Sequence, residues 1–140
     1  MMIRKDYILR MIEEIGKMIA AILGLLKNEN VQQAKKLYDE GLVRIFDLGE
    51  DDILEKEAGQ LRVVFENQFG ESFEGLEVVA NFLVKGGDIH IKSGDEAKAK
   101  RCYVKALELY NIVEIESATF SLNRQADMGK VSQLIDQICG

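Results

Sequence analysis

Not one of the 140 residues is proline. At the usual frequency of about 5%, a chain this long would carry roughly seven. Tight-turned β architectures draw on proline. Helix interiors exclude it, because its ring removes a backbone donor and clashes with the preceding turn. The chain therefore reads as all-α. With 47% hydrophobic residues it can form a core, which excludes disorder as the dominant state. Its length suits one domain spanning residues 1–140. Two cysteines cannot staple a chain of this size, so a disulfide scaffold is excluded as well.

Apolar spacing divides the chain into six or seven helices. Ile3, Tyr7, Met11, Ile15, Met18, Ile22 and Leu25 recur in steps of three and four, predicting one helix over about 3–27. Ile8, Ile12, Ile19, Leu23 and Leu26 widen its stripe, as expected of a helix buried against two neighbours. Asn30 is placed to cap a second helix carrying Ala34, Leu37, Tyr38, Gly41, Leu42 and Ile45, which ends near Gly49. Asp51 or Asp52 can cap a third, with Leu54, Ala58, Leu61 and Phe65 inward. Gly70-Glu71-Ser72 separates it from a fourth with Phe73, Leu76, Ala80, Leu83 and Gly87 in phase. Ser93-Gly94-Asp95 ends the fourth and caps a fifth, on which Ala99, Tyr103, Ala106, Tyr110 and Val113 align. A short helix over 117–126 and a C-terminal capping helix over about 130–139 complete the set. No period-two alternation is long enough for a strand. The connections are short, so consecutive helices are expected to pack antiparallel.

Charge narrows the partners. The net charge is −6, with 10 basic against 13 acidic residues in 1–70 and 8 against 11 in 71–140, so neither half is basic. Nucleic acid is excluded as the main partner on that balance. Lys98, Lys100, Arg101 and Lys105 read as the solvated side of a helix. The apolar run from Met18 to Leu26 falls short of the roughly 20 residues that span a bilayer. Asp6, Glu13 and Glu14 precede that run, and Lys27-Asn28-Glu29-Asn30 follows it without a small-residue cleavage site, so a secretory signal is not expected. Its mixed-sign polar face also disfavours a membrane-surface helix. A cytoplasmic protein is the expectation.

An internal repeat follows. Ala34-x-x-x-Tyr38-x-x-Gly41-Leu42 and Ala99-x-x-x-Tyr103-x-x-Ala106-Leu107 share one small–aromatic–small spacing at an offset of 65 residues. The small residues admit a close neighbouring helix, and the aromatic fills the space between them. The offset is near twice a period of about 34 residues.

With these residues the chain resembles the tetratricopeptide repeat, a helical hairpin whose second helix opens on a small residue followed by an aromatic and an alanine. Residues 80–113 carry the fuller match, with Gly87 at the small position of the first helix, His90 where an aromatic is usual, Gly94 in the turn, then Ala99, Tyr103 and Ala106. Residues 15–48 carry Ala34, Tyr38 and Gly41, but Ile22 and Leu25 replace the small and aromatic residues of the first helix. Leu83 or Met18 stands at the usual tryptophan, and Asn111 at the usual proline. Residues 49–79 show no repeat signature. The family's carboxylate clamp, a lysine and an asparagine, is replaced by Val84 and Asp88, or by Ile19 and Leu23, so that activity is not carried over. Residues 4–14 also resemble the start of small bacterial helical-repeat proteins.

The resemblance implies antiparallel hairpins stacked as a short α-solenoid, with Tyr38, His90, Tyr103 and Tyr110 as packing or groove residues. No catalytic, cofactor-binding or metal-binding residue is assigned. His90 is the only histidine. Cys102 borders the inward stripe and reads as a buried structural thiol, and neither it nor Cys139 has a sequence pattern pairing it with His90. Glu50-Asp51-Asp52 with Glu55 lacks the alternating ligands of a calcium loop, and the helix dipole at a first turn explains it. Gly86-Gly87 lacks the lysine–hydroxyl pair of a phosphate loop and is expected to allow close helix approach. The expected function is a non-enzymatic interaction or scaffold module, without cofactor, that binds a neutral or basic peptide or helix. The alternative is a homodimer formed through the N-terminal helix.

Overall fold

The computed structural model describes residues 2–70 and 73–139, with the side chains of residues 2–5, 69 and 139 set aside. The break expected at Glu71-Ser72 and the side chains of Ile3 and Cys139 thus lie outside the described residues. Within them are seven α-helices and no strand: α1 (Met2–Lys27), α2 (Val31–Gly41), α3 (Glu50–Glu55), α4 (Ala58–Phe69), α5 (Phe73–Lys92), α6 (Glu96–Ser117) and α7 (Leu122–Cys139). One π-helical turn, Leu42–Phe46, continues α2 and stops at Asp47 in the left-handed conformation. None of these helices is long and apolar enough to cross a membrane.

The first hairpin forms as its stripe predicts. Ile15, Met18, Ile22 and Leu26 of α1 are buried, and α1 packs on both α2 and α5. The turn into α2 closes with Asn30 N donating to Leu25 O at 2.8 Å, while Glu29 takes a positive φ. Sixty-five residues on, the turn from α5 into α6 repeats this closure. Asp95 N donates to His90 O at 2.9 Å, and Gly94 takes the positive φ. The offset seen in the sequence is thus also an equivalence of turn geometry. Asp95 then caps α6 by accepting a hydrogen bond from Lys98 N at 3.1 Å.

Asn30 precedes α2 without a side-chain cap bond, and Gly49 precedes α3, which leaves Asp51 and Asp52 inside its first turn rather than at the expected cap. Two further boundaries differ from the sequence reading. The third helix divides at Lys56, whose backbone is extended, into α3 and α4. A capping box restarts the chain there: the Glu57 side chain accepts from the α4 backbone, and Glu57 N donates to Gln60 Oε1 at 3.0 Å. The two C-terminal helices are instead one. Ala118 turns the chain with a left-handed φ, Ser121 Oγ accepts from Arg124 N, and α7 runs through Gly129 without interruption.

Two tyrosines set the spacing at the centre. Tyr38 lies over Gly86 and Tyr103 over Gly87, so a Cβ at either glycine would collide with the ring or hydroxyl above it. Tyr38 also stacks on Phe82, with ring centroids 5.2 Å apart. Phe46, from the π-helical turn, meets Phe65 and Phe82 edge-on, which ties α4 to the same core. The close approach expected at Gly86-Gly87 is what these two residues provide.

Candidate functional site

Two features stand out, a surface groove and a buried polar cluster. The groove follows from helix direction. One cavity of about 370 Å³ is lined by Gly16 and Ile19 of α1, Val84 and Lys85 of α5, and Lys130 and Val131 of α7. A second, of about 460 Å³, is lined by Leu23 and Leu26 of α1, Ile91 and Lys92 of α5, and Leu134 and Ile138 of α7. Residue numbers rise from the first cavity to the second on all three helices, so α1, α5 and α7 run the same way. The cavities lie one heptad apart along them.

Tyr110 and Tyr103 of α6 form part of the floor. The Tyr110 hydroxyl donates to Asn81 Oδ1, and the Tyr103 hydroxyl donates to Asp88 Oδ1 at 2.6 Å. Burial pushes both phenols up, helped by Asp88 at Tyr103 and by Asp127 and Glu77 at Tyr110, so both remain donors. Lys27, Lys85, Lys92 and Lys130 line the two cavities together with Asp88, Glu96 and Asp127. The groove therefore mixes signs and does not carry the acidic excess of the whole chain.

Behind α5 lies the polar cluster, to which four elements contribute one residue each. Glu50, the first residue of α3, turns its carboxylate inward. His90 Nε2 lies 2.9 and 3.0 Å from its two oxygens, and Cys102 Sγ donates to Oε2 at 3.4 Å. Burial would raise the Glu50 pKa, but hydrogen bonding from His90 and Cys102, with the Tyr38 hydroxyl nearby, outweighs that and lowers it to about 2. An ionised carboxylate only accepts, so His90 Nε2 carries the proton. Lys98 Nζ sits at the outer edge, 3.7 Å from Glu50 and 3.4 Å from Asp51.

Tyr38 completes the cluster from α2. It is 1% exposed, and its pKa is raised by burial and then by Cys102 and Glu50, the groups its hydroxyl faces. Among the described residues, Tyr38 Oη is one of two buried side-chain polar atoms without a hydrogen-bond partner. Burial and the Glu50 charge also push the Cys102 thiol up, opposite to what a nucleophilic thiol needs.

The chain matches no family model, no curated protein and no solved structure.

The four residues singled out in the sequence thus divide between the two features: Tyr103 and Tyr110 under the groove, Tyr38 and His90 in the cluster. His90 is buried as expected, but its partner is a carboxylate rather than the packing neighbour its repeat position suggested. Sequence reasoning gave the acids at 50–52 to the helix dipole and so missed Glu50. Nothing in their spacing shows which of the three turns inward.

Proposed function

We propose that the chain is a non-enzymatic interaction module of tetratricopeptide-like, solenoid design, taking an amphipathic helix or peptide in the α1–α5–α7 groove. One observation carries the reading: two aligned cavities of about 370 and 460 Å³ along three helices of the same direction. The repeated turn closure at 25–30 and 90–95 supports the repeat reading. Val84, Asp88, Ile19 and Leu23, the positions at which the clamp residues of that family would fall, all line these cavities. They present three apolar groups and one acid within a groove of mixed charge, which suits a partner helix with an apolar face and a neutral or mixed-charge rim. The raised pKa of Cys102 supports a non-enzymatic reading. A free, buried thiol suits the reducing cytoplasm.

A photo-crosslinker placed at Val84, in the groove, and at Val63, exposed on α4, tests the reading. Capture of one partner segment from Val84 and not from Val63 is expected, and Leu134→Arg should abolish it. Equal capture from both positions contradicts it.

Self-association stays as a second reading, moved to another surface. The core face of α1 is buried within the monomer, whereas Ile115, Phe120 and Leu122 are 74–78% exposed around the α6–α7 corner. A monomer by sedimentation at high micromolar concentration removes this reading.

A further inference from the structure

We propose that Glu50, His90 and Cys102 bind one divalent transition-metal ion of the zinc type, with the Tyr38 hydroxyl facing the fourth coordination position. One ligating atom from each of the three residues lies within 4.8 Å of the other two. A tetrahedral zinc with bonds of about 2.0–2.3 Å sets its donors roughly 3.3–3.8 Å apart. Cys102 Sγ and Glu50 Oε2 already stand at 3.4 Å, and the 3.0 Å contact of His90 Nε2 with the same oxygen would open by about half an ångström. One sulfur, one nitrogen and one oxygen donor select a borderline-soft ion over magnesium or calcium, which favour all-oxygen sites.

Charge and proton balance agree. Thiolate and carboxylate together neutralise a dication, so the buried site is neutral overall. The Cys102 thiol loses its proton to water as the sulfur–metal bond forms, and neutral His90 moves its proton from Nε2 to Nδ1, which frees the Nε2 lone pair as the third donor. No electron is transferred. The second, independent observation is Tyr38, whose buried hydroxyl faces Glu50 and Cys102 and has no partner. Such an orphan is costly in a metal-free core, yet it is well placed to bond a metal-bound water. Entry is from the outer edge, where Lys98 and Asp51 meet solvent; Lys98 keeps Asp51 as its partner once Glu50 turns to the ion.

Cobalt(II) titration of the chelator-treated full chain at neutral pH tests this. The expected result is one ion per chain, bound with release of about one proton and with a thiolate-to-cobalt charge-transfer band, and displaced by zinc with no further proton release. The band should vanish in Cys102→Ser and persist in Cys139→Ser, and His90→Gln should weaken binding more than tenfold. Tyr38→Phe should weaken it about 10–100-fold, the usual effect of a supporting residue. If Cys102→Ser does not fold, Cys102→Ala, which buries no hydroxyl, takes its place. Should both fail to fold, loss of cobalt protection of Cys102 against alkylation in His90→Gln supplies the same discrimination. Absence of the band in the wild type, its loss in Cys139→Ser instead, or unchanged affinity in His90→Gln overturns the proposal.

Discussion

His90 spans both oxygens of the Glu50 carboxylate, at 2.9 and 3.0 Å, and so ties the last turn of α5 to the first residue of α3 across 40 residues of sequence. The Glu50 side chain is only 9% exposed, so this is a buried pair and not a surface ion pair. Removing one partner of a buried pair strands the other. His90→Ala is expected to cost about 3 kcal/mol in the metal-free chain, read as a lower urea midpoint at neutral pH.

The same contact sets an acid limit. The Glu50 pKa is about 2 when folded against an ordinary 4.5, so its contribution is present above pH 4.5 and is lost as pH falls from there towards 2. Urea midpoints should drop across that window in the wild type. In Glu50→Gln the drop should be shallower, because the group that titrates is gone. Parallel curves for the two proteins would remove Glu50 as the source.

Glycines separate into two kinds. Gly86 and Gly87 lie under Tyr38 and Tyr103, whereas a Cβ at Gly24 of α1 meets nothing within 4 Å. Gly86→Ala and Gly87→Ala should each destabilise by about 1–3 kcal/mol through overpacking, despite better helix propensity. Gly24→Ala should stabilise by up to about 1 kcal/mol for the propensity alone. Thermal midpoints of the three variants check the signs.

Arg124 fastens α7. It is buried, donates to Glu114 at 2.6 Å and to Glu77 at 2.9 Å, and so joins the last helix to α6 and α5. Arg124→Met leaves two half-buried carboxylates facing each other and should cost about 2 kcal/mol, less than a fully buried pair because both acids reach solvent. Hydrogen exchange should accelerate selectively in α7, and with it the C-terminal wall of the groove should loosen.

Much of this fold was legible because one rule, the helical stripe, held through the middle of the chain, although Tyr7, on the expected inward face of α1, is 61% exposed. Ile15, Met18, Ile22 and Leu26 are buried as their spacing dictates, and so are Ala99, Tyr103, Ala106 and Tyr110. The misread boundaries have local causes. Glu57-Ala58-Gly59-Gln60 continues an apparent helix in composition, although its capping box starts a new one. Gly129 reads as a stop, but it sits in open space inside α7 and costs only its conformational entropy. The cluster was half legible. His90 and Cys102 sit at inward positions, but Glu50 reaches them across 40 and 52 residues, and only the break at 47–49 aims it. Tertiary placement of a loop leaves no periodic trace.

Amide chemical-shift mapping of the labelled chain, titrated with the segment captured from Val84, shows whether α1, α5 and α7 share one groove. Shifts are expected along Ile19, Leu23, Val84, Ile91, Lys130 and Leu134, on three helices at once. Shifts confined to α3 and α4, or to the Ile115–Leu122 corner, would contradict a shared groove.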